Sequence, residues 1–148
     1  MLDDLKYIHQ RDGQDALGIA EKQWQQYTHD FELNSDFTGW QPEAVALAGM
    51  GGSAQAPVAL AASGILPVSL ETIRNYDLPS YVNQKYQLIC CSYSGNTEET
   101  LSILDQAMNL PEEKRPKIVL MSGGGAVQQK AGELSLPYIQ IPQISQPR

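Results

Sequence analysis

The sequence is short of positive charge, and this shortage limits the ligands it can hold. Its 148 residues contain 10 Lys and Arg against 17 Asp and Glu, which gives a formal net charge of −7. A surface that binds nucleic acid is usually basic, so this balance argues against that class of protein. It does not argue against a phosphate site, because backbone N–H groups and hydroxyls hold a phosphate without a fixed charge.

Long apolar runs and cysteines are also scarce. No apolar run approaches the roughly 20 residues that cross a bilayer, and the first residues lack the basic-then-apolar pattern of a signal peptide. The only two cysteines, Cys90 and Cys91, are adjacent, so on a strand they point to opposite faces and do not bridge. No histidine lies at metal-ligand spacing from them. We therefore expect a cytoplasmic protein with no metal and with two buried, reduced thiols.

Hydrophobic periodicity divides the chain into alternating helices and strands, and its length predicts one domain with a sizeable core. The strongest helical pattern places apolar side chains on one face of residues 16–31. Further helices are predicted over residues 54–63, 97–108 and 126–134, and strands over residues 44–48, 67–71, 86–91, 117–121 and 138–141. Continuous apolar strands that alternate with helices are typical of a parallel sheet covered on both faces. The predicted fold is a three-layer α/β/α sandwich with a mostly parallel five-stranded sheet.

One polar segment lies between a predicted strand and a predicted helix, and it suggests the ligand. The segment from Ser92 to Thr100 reads SYSGNTEET and follows the apolar run 86–91. Its hydroxyls at Ser92, Ser94 and Thr97 surround the start of a helix, where unpaired N–H groups and the helix dipole favour an anion. The pattern predicts a site for a small ligand that carries a phosphoryl group, with Thr97 as the N-cap.

A second loop, with the sequence GMGGS at residues 49–53, has a rival interpretation. With Ala54 it fits the relaxed dinucleotide fingerprint, and Glu71 lies about 20 residues further on, at a predicted strand end, where an acid binds the ribose. Three features argue against a dinucleotide: a long helix precedes the first strand, Pro57 falls in the first turns of the next helix, and a dinucleotide site has no use for the later hydroxyls. Both loops follow parallel strands, so they can converge on one pocket.

The two loops together resemble the sugar isomerase (SIS) domain. GMGGS followed by SYSGNTEETL is similar to the N-terminal SIS domain of the bifunctional phosphoglucose/phosphomannose isomerase family. The segments RNYDLPSYV at residues 74–82 and QPR at residues 146–148 resemble further parts of that family. The likeness runs from about residue 40 to the last residue and implies a flavodoxin-like or Rossmann-like α/β fold.

The resemblance implies a domain organisation and roles for individual residues. It implies an N-terminal helical segment over residues 1–38, a phosphosugar-binding SIS domain over 39–142, and a tail over 143–148 towards a second SIS domain. Four hydroxyl residues match positions that bind the sugar phosphate: Ser53, Ser92, Ser94 and Thr97. Four others match positions where the backbone meets the substrate: Gly51, Gly52, Gly95 and Asn96. Arg148 matches the arginine that stabilises an anionic cis-enediolate, so it is the predicted catalytic residue.

The sequence departs from the family because it stops before a second SIS-like half. That half supplies the glutamate that moves the proton, a lysine near the active site and a histidine that opens the sugar ring from a partner subunit. His9 and His29 fall outside the matching motifs, and we expect them on the surface. Glu98 and Glu99 begin a helix beside the proposed phosphate, which makes them poor bases. The general base is therefore missing from this chain.

Two classes of function remain open. The first is the phosphosugar-binding half of a glucose 6-phosphate/mannose 6-phosphate isomerase, an intramolecular oxidoreductase of glycolysis or gluconeogenesis that is inactive or very weak as this chain alone. The second is a non-catalytic SIS module that senses a phosphosugar, and a Rossmann-type dinucleotide-binding domain is a less favoured third. The resemblance further implies a cofactor-free homodimer that binds a hexose 6-phosphate, while the charge and the short apolar runs argue against nucleic-acid and membrane partners.

Overall fold

A computed structural model describes residues 4–33 and 39–142, apart from the side chains of residues 26 and 27. The chain forms two compact units, Met1–Asp30 and Phe31–Arg148. The predicted tail over residues 143–148, which includes Arg148, lies outside the described residues. The boundary predicted at residues 38 and 39 stays a prediction.

The N-terminal unit holds two short α-helices, α1 (Leu5–His9) and α2 (Ala16–Glu21), followed by a 3-10 helix over Gln23–Thr28. The prediction of one helix over residues 16–31 is therefore wrong in its extent. Leu17 and Trp24, two members of its apolar face, are exposed, and no described residue of this unit is buried. A periodic face extends a helix only when packing stabilises it, and Gly18 inside α2 weakens the helix further.

The second unit is built around a sheet whose five strands are all parallel, as predicted. The strands are β1 (Ala44–Ala48), β2 (Ser69–Ile73), β3 (Tyr86–Ser92), β4 (Lys117–Ser122) and β5 (Tyr138–Gln140). Their order across the sheet is β2-β1-β3-β4-β5. Strand β2 begins two residues later than predicted, with Ser69 opposite Ala44, because Pro67 has no N–H to donate to a neighbouring strand.

Three helices connect these strands: α3 (Gln55–Ala62), α4 (Glu98–Met108) and α5 (Gly125–Glu133). Helix α4 buries Thr100, Ile103, Leu104 and Ala107, which recur at the spacing of one helix face. This face packs in the same core as Leu88 and Cys90 of β3, Leu120 of β4, and Val127 of α5. The α4 helix is therefore held firmly over the middle of the sheet.

The strand order places a topological switch between β1 and β3. These two strands are neighbours, with Ala48 opposite Cys90. The chain leaves β1 towards β2, at one edge of the sheet, and leaves β3 towards β4, in the direction of the other edge. In open parallel sheets of this order, ligands bind beyond the carboxyl ends of the strands at the switch. The glycine-rich loop after β1 and the serine-rich loop after β3 both begin there, which confirms that they lie side by side.

Candidate functional site

The hydroxyl loop (residues 92–97) connects β3 to α4 and is tightly organised by its own side chains. Ser92 is 1% exposed, and its Oγ accepts a hydrogen bond from the Gly95 N–H at 3.0 Å. The same oxygen lies 2.8 Å from Thr97 Oγ1 and 3.5 Å from Ser94 Oγ. Gly95 has a φ of +73°, a conformation that glycine adopts without strain. The structure therefore brings the three predicted hydroxyls together.

The N-terminus of α4 opens onto this cluster. Thr97 is the N-cap residue, as predicted, but within the described part of the chain its side chain makes no capping hydrogen bond. Its hydroxyl is engaged with Ser92 instead. The first N–H groups of an α-helix have no partner inside the helix, so α4 presents donors and the positive end of its dipole at the carboxyl edge of the sheet.

A third loop, which was not predicted to be part of the site, packs against the hydroxyl loop. This rear loop (residues 122–125) follows β4. The Val127 N–H donates to the Gly95 carbonyl at 2.9 Å, and a Cβ on Gly95 would collide with the Gly124 carbonyl oxygen. The two loops are in close backbone contact, and the signal for this in the sequence is the run of three glycines that follows Ser122.

Asn96 joins the hydroxyl loop to α5 through its side chain, and its predicted backbone contact with the substrate stays a prediction. Its side-chain Oδ1 accepts a hydrogen bond from the Ala126 N–H at 3.0 Å, at the start of α5. Its backbone N–H donates to Ser94 Oγ at 3.3 Å. The Asn96 side chain therefore accepts from an N–H group at the N-terminus of α5, and the N–H groups at the N-terminus of α4 remain for other acceptors.

Strand β5 fixes the rear loop in turn. The Tyr138 hydroxyl donates to the Ser122 carbonyl at 2.9 Å, and Gln140 Nε2 donates to the Gly123 carbonyl at 2.9 Å. Ser122 is fully buried, and its Oγ donates to the Gly124 carbonyl at 2.8 Å. The contacts of Tyr138 and Gln140 were not predicted, because they join residues 16 and 17 positions apart in the sequence and have no local sequence signal.

The glycine loop (residues 49–54) is more open. Gly51 has a φ of +53°, and no atom lies within 4 Å of the place where its Cβ would stand. Gly51 and Gly52 are exposed, whereas Ser53 is half-buried. Ser53 lies inside a 3-10 helix over Gly51–Ala54 rather than at the cap of α3, which is Ala54. The predicted backbone contacts are therefore accessible from the carboxyl edge of the sheet.

The two cysteines connect the loops to the core and are buried and free, as predicted. Burial raises the pKa of the Cys90 thiol to about 12. Burial also raises the pKa of the Cys91 thiol, although a hydrogen bond with the Ser53 side chain opposes this shift. Cys91 is the residue before Ser92, so Ser53 reaches the base of the hydroxyl loop.

Glu71 does not lie where a dinucleotide site needs it, and that expectation is wrong. Strand β2 continues to Ile73, and Glu71 pairs with Ala46 in the middle of the strand. A hydrogen bond with Glu71 is the main reason that the pKa of the Tyr81 hydroxyl is raised. The residue that follows the strand at the carboxyl edge is Arg74, whose Nη2 donates to the Ala54 carbonyl at 3.2 Å.

The other residues considered for chemistry lie elsewhere. His9 and His29 are exposed in the N-terminal unit. Among residues 4–33 and 39–142, no group of His, Cys, Asp or Glu is arranged to hold a metal ion. Within those same ranges, no helix has the length and apolar character that crossing a membrane requires.

Comparison with known proteins points to one group of enzymes. This chain is 37% identical over 108 residues to a bifunctional phosphoglucose/phosphomannose isomerase of Caldicellulosiruptor bescii. The match covers 72% of this chain and 31% of that protein. The enzyme of the same name from Thermoplasma volcanium is 35% identical over 107 residues, covering 72% of this chain and 32% of that protein. This chain is a homologue of the bifunctional phosphoglucose/phosphomannose isomerases. The match spans about a third of the length of these relatives.

A relative with a different reaction is also similar. A D-glucosamine-6-phosphate 4-epimerase of Sulfolobus acidocaldarius is 30% identical over 128 residues, covering 86% of this chain and 40% of that protein. No protein-family model matches the chain. The evidence for homology to the isomerases is therefore similarity to individual proteins. One further similar protein is named for an epimerase reaction.

Solved structures show the same fold. The crystal structure of a proposed phosphosugar isomerase from Bacillus subtilis superposes with a TM-score of 0.56 at 19% identity, covering 73% of this chain and 33% of that one. A similar protein from Clostridium difficile gives a TM-score of 0.50 at 16% identity, over 62% of this chain and 27% of that one. The all-parallel sheet with its helices is thus the fold of the phosphosugar isomerases.

Proposed function

We propose that this chain is the phosphosugar-binding half of an enzyme that interconverts glucose 6-phosphate or mannose 6-phosphate with fructose 6-phosphate. The observation that carries the proposal is the N-terminus of α4, which lacks a side-chain cap among the described residues and faces three clustered hydroxyls. Neutral donors at a helix N-terminus suit a phosphate dianion. The names of the homologous enzymes support a phosphosugar as the ligand.

The three hydroxyls have different parts in this proposal. Ser94 is exposed and Thr97 is half-buried, so both are placed to donate to phosphate oxygens, together with the first N–H groups of α4. Ser92 is buried and binds the Gly95 N–H and Thr97. It holds the loop in shape and adds a donor only at the base of the site.

The glycine loop holds the sugar end of the same ligand. Gly51 and Gly52 are exposed and carry no side chains, so a sugar ring can lie against their backbone. The hydroxyl of Ser53 is close to Cys91 at the base of the hydroxyl loop. A ligand that spans both loops therefore has its phosphate at β3 and its reacting carbons near β1.

The chemistry is an aldose–ketose isomerisation without a cofactor. A base removes the proton from C2 of the aldose, and the electrons form the C1–C2 double bond of an enediolate. The hydroxyl proton passes from O2 to O1, and the base returns its proton to C1 as the C2 carbonyl of the ketose forms. The resemblance gives Arg148 the role of stabilising the negative enediolate oxygen. Glu98 accepts a hydrogen bond from the Tyr76 hydroxyl at 3.2 Å and begins α4 beside the proposed phosphate, so it is not the base. We assign the base to the second SIS domain that the resemblance implies.

We further propose that the complete protein contains a second SIS domain and works as a homodimer in the cytoplasm. The support is the resemblance together with the length of the homologues, of which the match covers about a third. Light scattering on the complete protein tests the assembly: a mass of two chains is expected, and a mass of one chain would overturn the dimer.

The second candidate is a module that binds a phosphosugar without converting it. One relative is named for an epimerase rather than an isomerase reaction, so we test ligand binding and isomerisation separately. Calorimetric titration of residues 1–148 with fructose 6-phosphate, glucose 6-phosphate and NAD tests the ligand class. We expect both sugar phosphates to bind and NAD not to bind, whereas tight NAD binding alone would favour the dinucleotide alternative. A coupled assay on the same chain is expected to show negligible isomerisation, because the base is missing. Robust turnover would contradict that.

A further inference from the structure

Arg74 is the single cation that the described part of the second unit places at the carboxyl edge of the sheet. It directly follows β2. Four other cations of this unit lie before or at the start of strands β3 and β4, at the opposite edge: Lys85, Lys114, Arg115 and Lys117. Lys130 lies in the last turn of α5 and pairs with Asp105 at 2.6 Å. The proposed ligand thus meets one described positive side chain.

The same edge carries a concentration of negative charge. Glu98 and Glu99 form the first turn of α4. The charge of Glu99 is the main cause of the raised pKa of the Tyr76 hydroxyl, with smaller contributions from burial and from Glu98. A phosphate dianion brought to this edge would be repelled by these carboxylates unless a positive charge offset them.

Arg74 is anchored in a position that suits the sugar end of the ligand. Its Nη2 donates to the carbonyl of Ala54, a fully buried residue at the end of the glycine loop. Among the described residues it makes no ion pair, and Glu98 is instead bonded to Tyr76. Most N–H donors of the planar guanidinium group are therefore available, and two of them can donate in parallel, like the prongs of a fork, to two neighbouring oxygens.

The distances across the sheet separate this cation from the hydroxyl loop. Strand β1 lies between β2 and β3, and neighbouring strands are about 4.8 Å apart, so the ends of β2 and β3 are about 10 Å apart. Arg74 leans from β2 onto the loop that follows β1. It is thus closer to the glycine loop than to the start of α4.

We propose that Arg74 is a further substrate-binding residue, which donates hydrogen bonds to the sugar oxygens of the phosphosugar and attracts the anion to the carboxyl edge. This inference rests on the proposed function, because it concerns the same ligand. It assigns the hydroxyl loop to the phosphate and the Arg74 guanidinium to the sugar.

Three variants of residues 1–148 test it by calorimetric titration with fructose 6-phosphate and, separately, with inorganic phosphate. Arg74→Gln is expected to bind fructose 6-phosphate about tenfold more weakly, since it loses a charge-assisted hydrogen bond. Its affinity for inorganic phosphate should fall by much less. Arg74→Lys keeps the charge without the fork and should be intermediate. Lys114→Gln removes the same charge at the opposite edge, and we expect it to behave as the unaltered chain.

The outcomes are distinguishable. Selective loss of fructose 6-phosphate affinity in Arg74→Gln, with partial rescue in Arg74→Lys, supports the inference. An unchanged affinity overturns it, and so does an equal loss for both ligands that Arg74→Lys does not rescue, because that pattern means Arg74 only supports the Ala54 carbonyl. If the unaltered chain binds no fructose 6-phosphate, the proposed function fails first and this inference fails with it.

Discussion

The hydroxyl loop and the glycine loop follow adjacent parallel strands, yet they differ in how firmly they are built. Gly95 of the hydroxyl loop is buried against the rear loop, whereas Gly51 of the glycine loop is exposed with open space around it. Both have positive φ angles. Gly95 is therefore required by close packing, whereas Gly51 is required by local backbone conformation alone. The proposed phosphate end of the site is thus fixed before a ligand arrives, while the sugar end is open.

The largest expected effect comes from adding one methyl group to each glycine. Gly95→Ala puts a Cβ into the Gly124 carbonyl oxygen, and we expect a loss of about 4 kcal/mol or more in the free energy of unfolding. In Gly51→Ala the new Cβ meets no neighbour. The free energy of unfolding should therefore fall only by about 1–2 kcal/mol, which is the cost of a left-handed conformation. Urea unfolding followed by circular dichroism measures both. Equal losses would mean that the two loops are built alike.

Removing one hydroxyl from each loop should give a smaller contrast. Ser92→Ala removes the side-chain acceptor of the Gly95 N–H, which keeps the Ser92 carbonyl at 3.1 Å, and it also removes the hydroxyl partner of Thr97. With two hydrogen bonds lost, we expect about 1–2 kcal/mol lower stability. Affinity for fructose 6-phosphate should fall about tenfold or more, because the donors lose their arrangement. Ser53→Ala removes a weak bond to a thiol, so it should cost less than about 1 kcal/mol. If Ser53→Ala had the larger effect on stability, the contrast between the loops would be reversed.

The smallest contrast is expected between two variants of Asn96, which joins the hydroxyl loop to α5. Asn96→Ala removes the acceptor for the Ala126 N–H and should lower the unfolding free energy by about 1 kcal/mol, as the loss of a helix cap does. Asn96→Asp keeps an acceptor at the same helix N-terminus, so its stability should match the unaltered chain. Its added charge beside the proposed phosphate should still weaken fructose 6-phosphate binding. Identical thermal unfolding of the two variants would rule out the capping role.

The fold of the second unit was largely predictable because its signals are local. Apolar runs such as residues 86–91 and 117–121 mark buried strands, and the segment from Ser92 to Thr97 marks a strand-to-helix junction by its composition. The prediction of one helix over residues 16–31 was wrong, because hydrophobic periodicity shows a potential apolar face but does not show whether that face packs against anything.

Parts of the site could not be predicted because they join residues that are distant in sequence. The contact of Gly95 with Gly124 and the bonds from Tyr138 and Gln140 depend on the order of β3, β4 and β5 in the sheet. The same holds for Arg74, whose position as a cation at the carboxyl edge follows from where β2 ends.

The most direct test of the central claim is a nuclear magnetic resonance titration of ¹⁵N-labelled residues 1–148 with fructose 6-phosphate. We expect saturable shifts in the backbone amides of Gly95, Asn96, Thr97 and Glu98. We also expect shifts in those of Gly51 and Gly52 that inorganic phosphate does not reproduce. Unmoved amides of the hydroxyl loop at saturating sugar phosphate would contradict the central claim, and so would NAD moving the glycine loop while fructose 6-phosphate moved neither loop.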